Sequence, residues 1–450
     1  MSDRNRADAV YETLLARAGE RWVEPRKERT ARLLEFLGDP QRNYRVVHVT
    51  GTNGKTSTSR IIESIVRAHG LRTGLFTSPH LERFTERVVI DGEPIADAAV
   101  ADAWDEVAPF VDIVDAELAE AGEAPLTFFE LLTALAFVAF SDAPVDVAVI
   151  EVGMGGSWDS TNTADGDVAV FAPIDLDHAD RLGGTVAEIA EVKSGIIKAG
   201  AAVVSARQDA AAERVLRAAA TAHGATIAFE GEDFALAEDR MAVGGQFMAV
   251  RGLAGTYSDL YLPMYGEHQA HNAALAIAAV ESLLGAATQP LAADVLTEGL
   301  AEATSPGRLQ LVGIAPTVIV DGAHNPHGAR ALAAALRDAF DFDEWGVVLG
   351  ALADKDVAGV VAQLAPLAAH LFATAPQSDR ATDPDAIADL AEGLGTQVSV
   401  HRDVADAGNA AREWAAASDR RAVIIAGSVV LAGEALTAAS EENWKSGWQA

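Results

Sequence analysis

The sequence predicts an α/β protein with two domains, each built on a largely parallel sheet. Three observations lead to this prediction. Short β-branched segments alternate with longer segments of helical periodicity, which is typical of parallel sheets covered by helices. A glycine-bearing turn joins the first of these strands to a helix. Finally, 450 residues are more than one hydrophobic core usually holds.

The first domain is predicted to span residues 1–304. Apolar residues at helical spacing predict its helices, and short runs of β-branched residues predict its buried strands. Shorter, alternating, glycine-punctuated segments at about 225–262 predict a small β extension. The predicted order is a helix ending near Gly19, a helix at 27–37, a strand at 46–49, a helix closed by Gly70, a helix at 131–140, strands at 145–150 and 168–172, a helix at 186–193, the extension, and a long helix at 270–284.

A second domain is predicted at 305–450, after the linker-like sequence Thr304-Ser305-Pro306-Gly307. Its strands again alternate with helical segments, so we expect a smaller, doubly wound, Rossmann-like sheet. The predicted strands lie at 318–320, 347–350, 371–374, 398–401 and 423–426.

The composition excludes several classes of protein. Asp and Glu number 66 against 34 Lys and Arg, a formal net charge of −32, and no basic stripe interleaved with aromatic residues is present. Such a surface repels nucleic acid, and it also repels phosphorylated ligands unless their site supplies local positive charge. The absence of cysteine excludes disulfides and thiolate metal sites. With no membrane-spanning apolar run and no apolar signal core near Met1, we expect no membrane partner and a cytoplasmic setting.

The glycine-bearing turn has the form of a phosphate-binding loop. It reads Thr50-Gly51-Thr52-Asn53-Gly54-Lys55-Thr56-Ser57-Thr58, between a predicted strand and a predicted helix. Its backbone N–H groups can surround phosphate oxygens, Lys55 can reach the terminal phosphates, and Thr56 or Ser57 can ligate Mg²⁺. Val49 stands where the general pattern has its first glycine, so this is a shorter variant. The loop predicts binding of ATP with Mg²⁺.

Three further side chains are candidates for a metal site at the same sheet edge. Glu151 ends a buried strand, while Ser78 and His178 lie in loops suited to the same cleft. Oxygen and imidazole ligands of this kind, together with Thr56, suit Mg²⁺ that also holds phosphates and waters. A single histidine is more often a structural hydrogen-bonding residue, so the prediction for His178 depends on its neighbours.

Eleven short motifs occur in order along the chain and together resemble one enzyme family. They are the phosphate loop, Thr77-Ser78-Pro79-His80-Leu81, Glu86-Arg87, Thr127-Phe128-Phe129-Glu130, 151–162, Asp177-His178, Lys193, 268–272, Pro306-Gly307-Arg308, Asp321-Gly322-Ala323-His324-Asn325-Pro326 and Asp354-Lys355-Asp356. In this order they resemble the folylpolyglutamate synthase/dihydrofolate synthase family of the Mur ligase superfamily.

The resemblance implies an ATP-dependent ligase that adds L-glutamate to dihydropteroate or to folyl-glutamates through an acyl phosphate. It implies that Lys193 is carbamylated, since a carbamate would attract Mg²⁺ that an ammonium repels. We expect a monomer that binds only small molecules. The implied roles are catalysis by Lys55, Lys193 and His178; ATP binding by Thr52, Asn53, Gly54, Lys55, Thr56, Ser57, Asn272, Arg308 and Asp321; metal binding by Ser78, Glu151, His178 and Thr56; folate binding by Thr127, Phe128, Phe129, Glu130, Trp158, Asp159 and Ser160; and glutamate binding by His324 and Asn325.

One position departs from the family pattern. The family usually has Gly-Gly-Arg where this chain has Gly155-Gly156-Ser157. A cation expected near the phosphates or the substrate carboxylate is therefore missing at Ser157, which bears on the range of substrates.

Three alternatives remain open at this point. A Mur-type ligase acting on a UDP-muramoyl peptide has the same chemistry, but it places a nucleotide-sugar domain before the phosphate loop, where this chain has about fifty residues. A P-loop switch or motor would hydrolyse ATP without an amino-acid acceptor. A non-catalytic folate-binding protein would have no need of Lys55, Glu151 and Lys193 together.

Overall fold

The computed structural model describes residues 2–19, 26–442 and 444. In the first domain helices and strands largely alternate, as the sequence predicts, and eight of the strands form one sheet. The strands are β1 (Arg45–Thr50), β2 (Thr73–Phe76), β3 (Val88–Ile90), β4 (Glu93–Pro94), β5 (Val147–Glu151), β6 (Val168–Phe171), β7 (Ala202–Ser205) and β8 (Thr226–Phe229). The helices are α1 (Asp3–Leu15), α2 (Glu28–Phe36), α3 (Lys55–Ala68), α4 (Asp97–Glu120), α5 (Phe128–Asp142), α6 (Ala179–Leu182), α7 (Val186–Ser194), α8 (Ala210–Ala222), α9 (Glu267–Gly285) and α10 (Ala293–Ala301).

These strands form a sheet in the order β4-β3-β2-β5-β1-β6-β7-β8. Within this order, neighbouring strands run parallel along β2-β5-β1-β6-β7-β8. Strands β3 and β4 add an antiparallel edge. Alternate residues of β1 face opposite layers, since Val47 and Val49 pack with α3, α9 and α10, whereas Val46 packs with α1, α2, α4 and α5. The sheet is thus covered on both faces, and the carboxyl ends of β2, β5, β1 and β6 lie side by side.

The small extension is an antiparallel sheet of β9 (Ala235–Ala242), β10 (Gly245–Arg251) and β11 (Thr256–Leu262). It begins later than the sequence predicts. Residues Thr226–Phe229, which the sequence predicts to be part of the extension, pair in parallel with β7 and complete the main sheet. They follow α8, so β7, α8 and β8 form an ordinary βαβ crossover. The first helix also ends at Leu15, before the predicted Gly19.

The second domain contains a six-stranded sheet in the order β12-β13-β17-β14-β15-β16, in which β12 alone among its strands runs antiparallel to its neighbour. Helices cover both faces, so the doubly wound prediction is confirmed. The strands are β12 (Gln310–Ile314), β13 (Thr317–Val320), β14 (Glu344–Leu349), β15 (Ala368–Ala373), β16 (Val398–Val400) and β17 (Arg421–Ala426). The helices are α11 (Pro326–Ala339), α12 (Val357–Leu364), α13 (Pro384–Glu392), α14 (Val404–Ala415) and α15 (Val429–Glu441).

The two domains are in direct contact. Leu81, from the loop after β2, packs against the core beside α15, and a Cβ on Gly433 would lie 2.1 Å from the Leu81 carbonyl oxygen. Thr437 of α15 donates a hydrogen bond to Glu82 (Oγ1 to Oε1, 3.1 Å). Among the described helices, none combines the length and the apolar character that a bilayer span requires.

Helix α3, which follows the phosphate loop, depends on a close approach to α10. A Cβ on Gly299 would lie 2.8 Å from the Cα atom of Ile65, and Ser64 donates to the Gly299 carbonyl (2.7 Å). We therefore predict that Gly299→Ala lowers the free energy of unfolding by about 1–3 kcal/mol, the usual cost of overpacking. Thermal melting followed by circular dichroism measures this effect.

Gly184→Ala is the matched control, since no atom lies within 4 Å of its added Cβ. Equal melting midpoints for the two variants would contradict the packing account.

Candidate active site

A cavity of about 1340 Å³ opens between the carboxyl ends of β1, β5 and β6 and the facing loops of the second domain. Every residue that the sequence predicts for the site lines it, except Phe128 and Asn325. The structure therefore brings together residues far apart in the chain, and the two domains supply opposite walls.

The phosphate loop is shaped by a close approach to α9. Gly54 has φ +84°, and a Cβ there would lie 2.6 Å from Asn272 Oδ1, so only glycine fits. Lys55 is the first residue of α3, and its Nζ donates to the carbonyls of Gly51 and Thr52 (3.2 Å each). Burial lowers the pKa of Lys55, and the nearby Glu151 opposes this shift.

Glu151 is a buried carboxylate beside this loop. It is 1% exposed, at the end of β5. Thr56 Oγ1 donates to both of its oxygens (2.9 and 3.0 Å), and the Ser78 N–H donates to Oε2 (3.4 Å). Burial raises the pKa of Glu151, whereas Lys55 and these hydrogen bonds lower it. The adjacency of β2, β5 and β1 thus brings together three of the four predicted metal ligands.

His178, the fourth, contacts the second domain instead. Its Nε2 lies 3.1 Å from Lys355 Nζ, and burial lowers its pKa to about 4, with Lys355 adding to the effect. In the part of the chain that the structure describes, no three His, Asp or Glu side chains are placed to hold a metal together.

Lys193 does not lie on the surface, the position a helical lysine has by default. It is 4% exposed, on α7, and its Nζ donates to the Gly51 carbonyl (2.8 Å). Burial, together with the nearby Lys55, lowers the pKa of Lys193 to about 7. The ammonium is therefore destabilised within the site, beside the phosphate loop.

The second domain contributes Arg308 and the loop after β13. The Asp321 carboxylate accepts from the N–H groups of Leu309 (2.9 Å) and Ala323 (2.8 Å), so it fixes this loop. A Cβ on Gly322 would lie 2.1 Å from Arg308 Nη1, so glycine leaves room for the guanidinium. Burial raises the pKa of Asp321, and Arg308 opposes this effect.

Polar contacts join the domains at the cavity. Lys355 Nζ donates to Asp177 (2.9 Å), and His327 Nδ1 lies 2.8 Å from an Asp175 oxygen. Burial alone would raise the pKa of Asp177, but Lys355 holds it well below its usual value. Asn325 Nδ2 donates to Asn53 Oδ1 at 3.1 Å.

The other end of the cavity contains the predicted folate residues. Thr127 and Glu130 form a capping box at the start of α5, with Thr127 N–H donating to the Glu130 carboxylate (2.7 Å). Phe129 lines the cavity, as do Trp158, Asp159 and Ser160. Phe128 is turned into the core, 3% exposed, with the Arg87 guanidinium 5.3 Å from its ring centroid.

Ser157, where the sequence departs from the family, is exposed and lies outside the cavity lining. The structure thus places this position away from the cavity wall. Sequence reasoning gave no role to several residues of the lining. Lys355, Gln269 and His271 belong to motifs of the family resemblance, whereas nothing in the local pattern indicated Arg207, Glu230 and His327.

Comparison with known protein families agrees with this architecture. Residues 49–280 match the Mur ligase middle domain, and residues 307–429 match the Mur ligase glutamate ligase domain. The order and position of these domains place the chain in the Mur ligase superfamily.

Individual relatives narrow the class further. The chain is 44% identical over 447 residues to the dihydrofolate synthase/folylpolyglutamate synthase of Mycobacterium tuberculosis, covering 93% of this chain and 91% of the relative. It is 35% identical over 347 residues to the enzyme of the same name from Bacillus subtilis, covering 77% and 80%. A structure of the Mycobacterium tuberculosis folylpolyglutamate synthase complexed with ADP superposes with a TM-score of 0.92 at 43% identity, covering 97% of this chain and 99% of that one. The chain belongs to the dihydrofolate synthase/folylpolyglutamate synthase family.

Proposed function

We propose that this chain is an ATP-dependent ligase that joins L-glutamate to dihydropteroate, to folyl-glutamates, or to both. The observation that carries the proposal is the single cavity walled by a phosphate loop on one side and a glutamate ligase domain on the other. The names of the relatives support the same chemistry. None of the relatives compared above is named as acting on a UDP-muramoyl peptide, so the names do not support the alternative acceptor that the sequence left open.

The reaction needs an activated carboxyl group, because a carboxylate is a poor electrophile. Transfer of the γ-phosphoryl group of ATP to the acceptor carboxylate gives an acyl phosphate. The neutral α-amine of glutamate then attacks the carbonyl carbon, the nitrogen releases a proton, and phosphate leaves as the amide forms. Lys55 and Arg308 face the cavity from opposite domains, where they can neutralise the crowded oxygens. We propose that closure of the two domains during catalysis keeps the acyl phosphate away from water.

The donor set at the end of β5 fits Mg²⁺. Glu151, Thr56 and Ser78 offer a buried carboxylate and hydroxyl oxygens, and Mg²⁺ usually binds one or two carboxylates together with waters and substrate phosphates. Bound there, the ion would supply positive charge to the phosphates. His178 stays a proposed ligand only if it leaves Lys355, its partner in this structure.

Lys193 supports the proposed carbamate. Carbamylation requires a neutral amine that adds CO₂. Burial and the nearby Lys55 lower the pKa of Lys193 to about 7, so a large fraction of this amine is neutral at neutral pH. The carbamate would replace the Lys193 ammonium, which Lys55 repels, with an anion, which Lys55 attracts.

The acceptor is proposed to bind between Phe129 and Trp158, whose flat faces suit a pterin ring. We propose His324, not Asn325, as the cavity-facing residue on the glutamate side.

One chain contributes both walls of the cavity, so a monomer is sufficient to form the site. A cytoplasmic setting stays a prediction.

The most direct test of the function is ADP release with ATP, Mg²⁺ and glutamate. Three acceptors are compared, namely dihydropteroate, tetrahydrofolate and a UDP-muramoyl peptide. We expect glutamate-dependent release with at least one of the two pterin acceptors. Release with the muramoyl peptide alone, or release that does not require glutamate, would refute the proposal.

Lys55→Ala should reduce ligation at least about a hundredfold, because a preorganised cation is lost from the transferring phosphoryl group. The fold should survive, since the buried ammonium has only carbonyl partners. Steady-state ADP release measures the effect, with Lys198→Ala as control because Lys198 lies outside the cavity lining. Normal turnover of Lys55→Ala would exclude the phosphate-loop assignment.

Glu151→Gln should raise the Mg²⁺ concentration needed for half-maximal activity by about tenfold or more, since the site loses its carboxylate charge. The measurement is a magnesium titration of ADP release at saturating ATP. An unchanged titration curve would remove Glu151 from the proposed ligands.

A carbamate on Lys193 should give one ¹³C NMR signal when the enzyme is equilibrated with ¹³C-bicarbonate. Lys193→Gln should lose the signal, and Lys198→Gln should retain it. A wild-type spectrum without the signal, or a signal that persists in Lys193→Gln, would disprove the modification.

A further inference from the structure

A short hydrogen-bonded chain connects the phosphate loop to the second domain. Asn325 Nδ2 donates to Asn53 Oδ1 (3.1 Å) and to Asp177 Oδ2 (3.3 Å). Lys355 Nζ donates to the other oxygen of Asp177 (2.9 Å). We call these four residues the interdomain relay. Two belong to each domain, and Asn53 and Lys355 at its ends line the cavity.

The middle of the relay is fixed by the fold. Asn325 is the N-cap of α11, and its Oδ1 accepts from the Gly328 N–H (2.8 Å). Because the cap uses the oxygen, the amide nitrogen must face Asn53 and Asp177. Asn325 is 4% exposed and lies outside the cavity lining, so its side chain is buried between the domains and does not face the substrate space.

The end of the relay in the phosphate loop has an unused donor. Asn53 Nδ2 is buried and has no hydrogen-bond partner within residues 2–19, 26–442 and 444. An unpaired buried donor is costly, and a phosphate oxygen in the cavity would satisfy it. Nδ2 and Oδ1 belong to the same planar amide of Asn53. A phosphate oxygen that accepts from Nδ2 therefore keeps Oδ1 directed towards the Asn325 amide donor. The opposite orientation would set two donors against each other.

We propose that Asn325 is a positioning residue through which an occupied phosphate loop holds the glutamate ligase domain in its working position. This inference rests on the proposed function and changes the role that the resemblance implies for Asn325. The relay fixes Asp177, and Asp177 in turn fixes the Lys355 ammonium in the cavity. Nucleotide and domain position are therefore coupled, and coupling of this kind acts equally in both directions.

Two substitutions test the relay and keep the helix cap, because serine and aspartate are both good N-cap residues. Asn325→Ser removes the amide donor, and we expect kcat to fall about tenfold. Asn325→Asp also places a carboxylate oxygen against Asp177, so we expect a larger loss. The KM for glutamate should stay within about twofold of wild type in both variants. Melting midpoints confirm folding, and the serine variant suffices if the aspartate variant does not fold.

Exchanging the two groups should restore part of the activity. In the double variant Asn325→Asp with Asp177→Asn, the new amide at 177 can donate to the new carboxylate at 325. We expect kcat to exceed that of Asn325→Asp alone at least threefold. No recovery would contradict a direct contact between these two positions during turnover.

A double-mutant cycle between Asn53→Ala and Asn325→Ser tests the coupling itself. If the relay acts as a unit, the double variant loses little more kcat than the more impaired single variant. Thr437→Ala is the matched control, since it also removes an interdomain hydrogen bond but lies outside the relay. In the double variant Thr437→Ala with Asn53→Ala, the loss of kcat should equal the product of the losses in the two single variants.

Two outcomes would overturn the relay while leaving the proposed function intact. One is a glutamate KM raised tenfold or more in Asn325→Ser at unchanged kcat, which would make Asn325 a glutamate-contacting residue. The other is a cycle in which the effects of Asn53→Ala and Asn325→Ser simply multiply. A wild-type enzyme that releases no ADP with any pterin acceptor would instead refute the proposed function, and with it the inference.

Discussion

The site depends on one close approach, that of the phosphate loop to the start of α9. Gly54 can adopt φ +84° and lie against Asn272 only because it has no side chain. That contact fixes the loop at the point where α3 begins, with Lys55 as the first residue of the helix. Because β1 lies between β5 and β6, the ends of those strands then place Glu151 and the segment around Asp177 beside the loop.

The second constraint is electrostatic. A chain of net charge −32 must bind anions with charges that its surface does not supply. The structure places cations from both domains around one cavity, among them Lys55, Arg308 and Lys355. Burial lowers the pKa of Lys55, so keeping this side chain charged costs free energy that a bound polyanion would recover. Recovery of this free energy favours anion binding in the cavity.

Local patterns were sufficient for the phosphate loop and for Glu151, because strand, turn and helix adjoin in the sequence and dictate where their ends lie. They were not sufficient where distant segments meet. The Asn53–Asn325 contact joins residues 272 positions apart, and no periodicity signals it. Phe128 and Phe129 look equivalent in sequence, yet successive residues of a helix point about 100° apart, so one enters the core and the other the cavity. The error at 226–229 has a similar origin, since a glycine-punctuated segment reveals nothing about the strand with which it will pair.

The central claim is that nucleotide binds between the phosphate loop and the second domain, with its terminal phosphate at the loop. A crystal structure with a non-hydrolysable ATP analogue and Mg²⁺ measures this directly. The account predicts the γ-phosphate within hydrogen-bonding distance of Lys55 Nζ, the metal on Glu151, and Arg308 facing the phosphates from the other wall. A nucleotide bound elsewhere, with the loop and Glu151 left without contacts to it, would contradict the account.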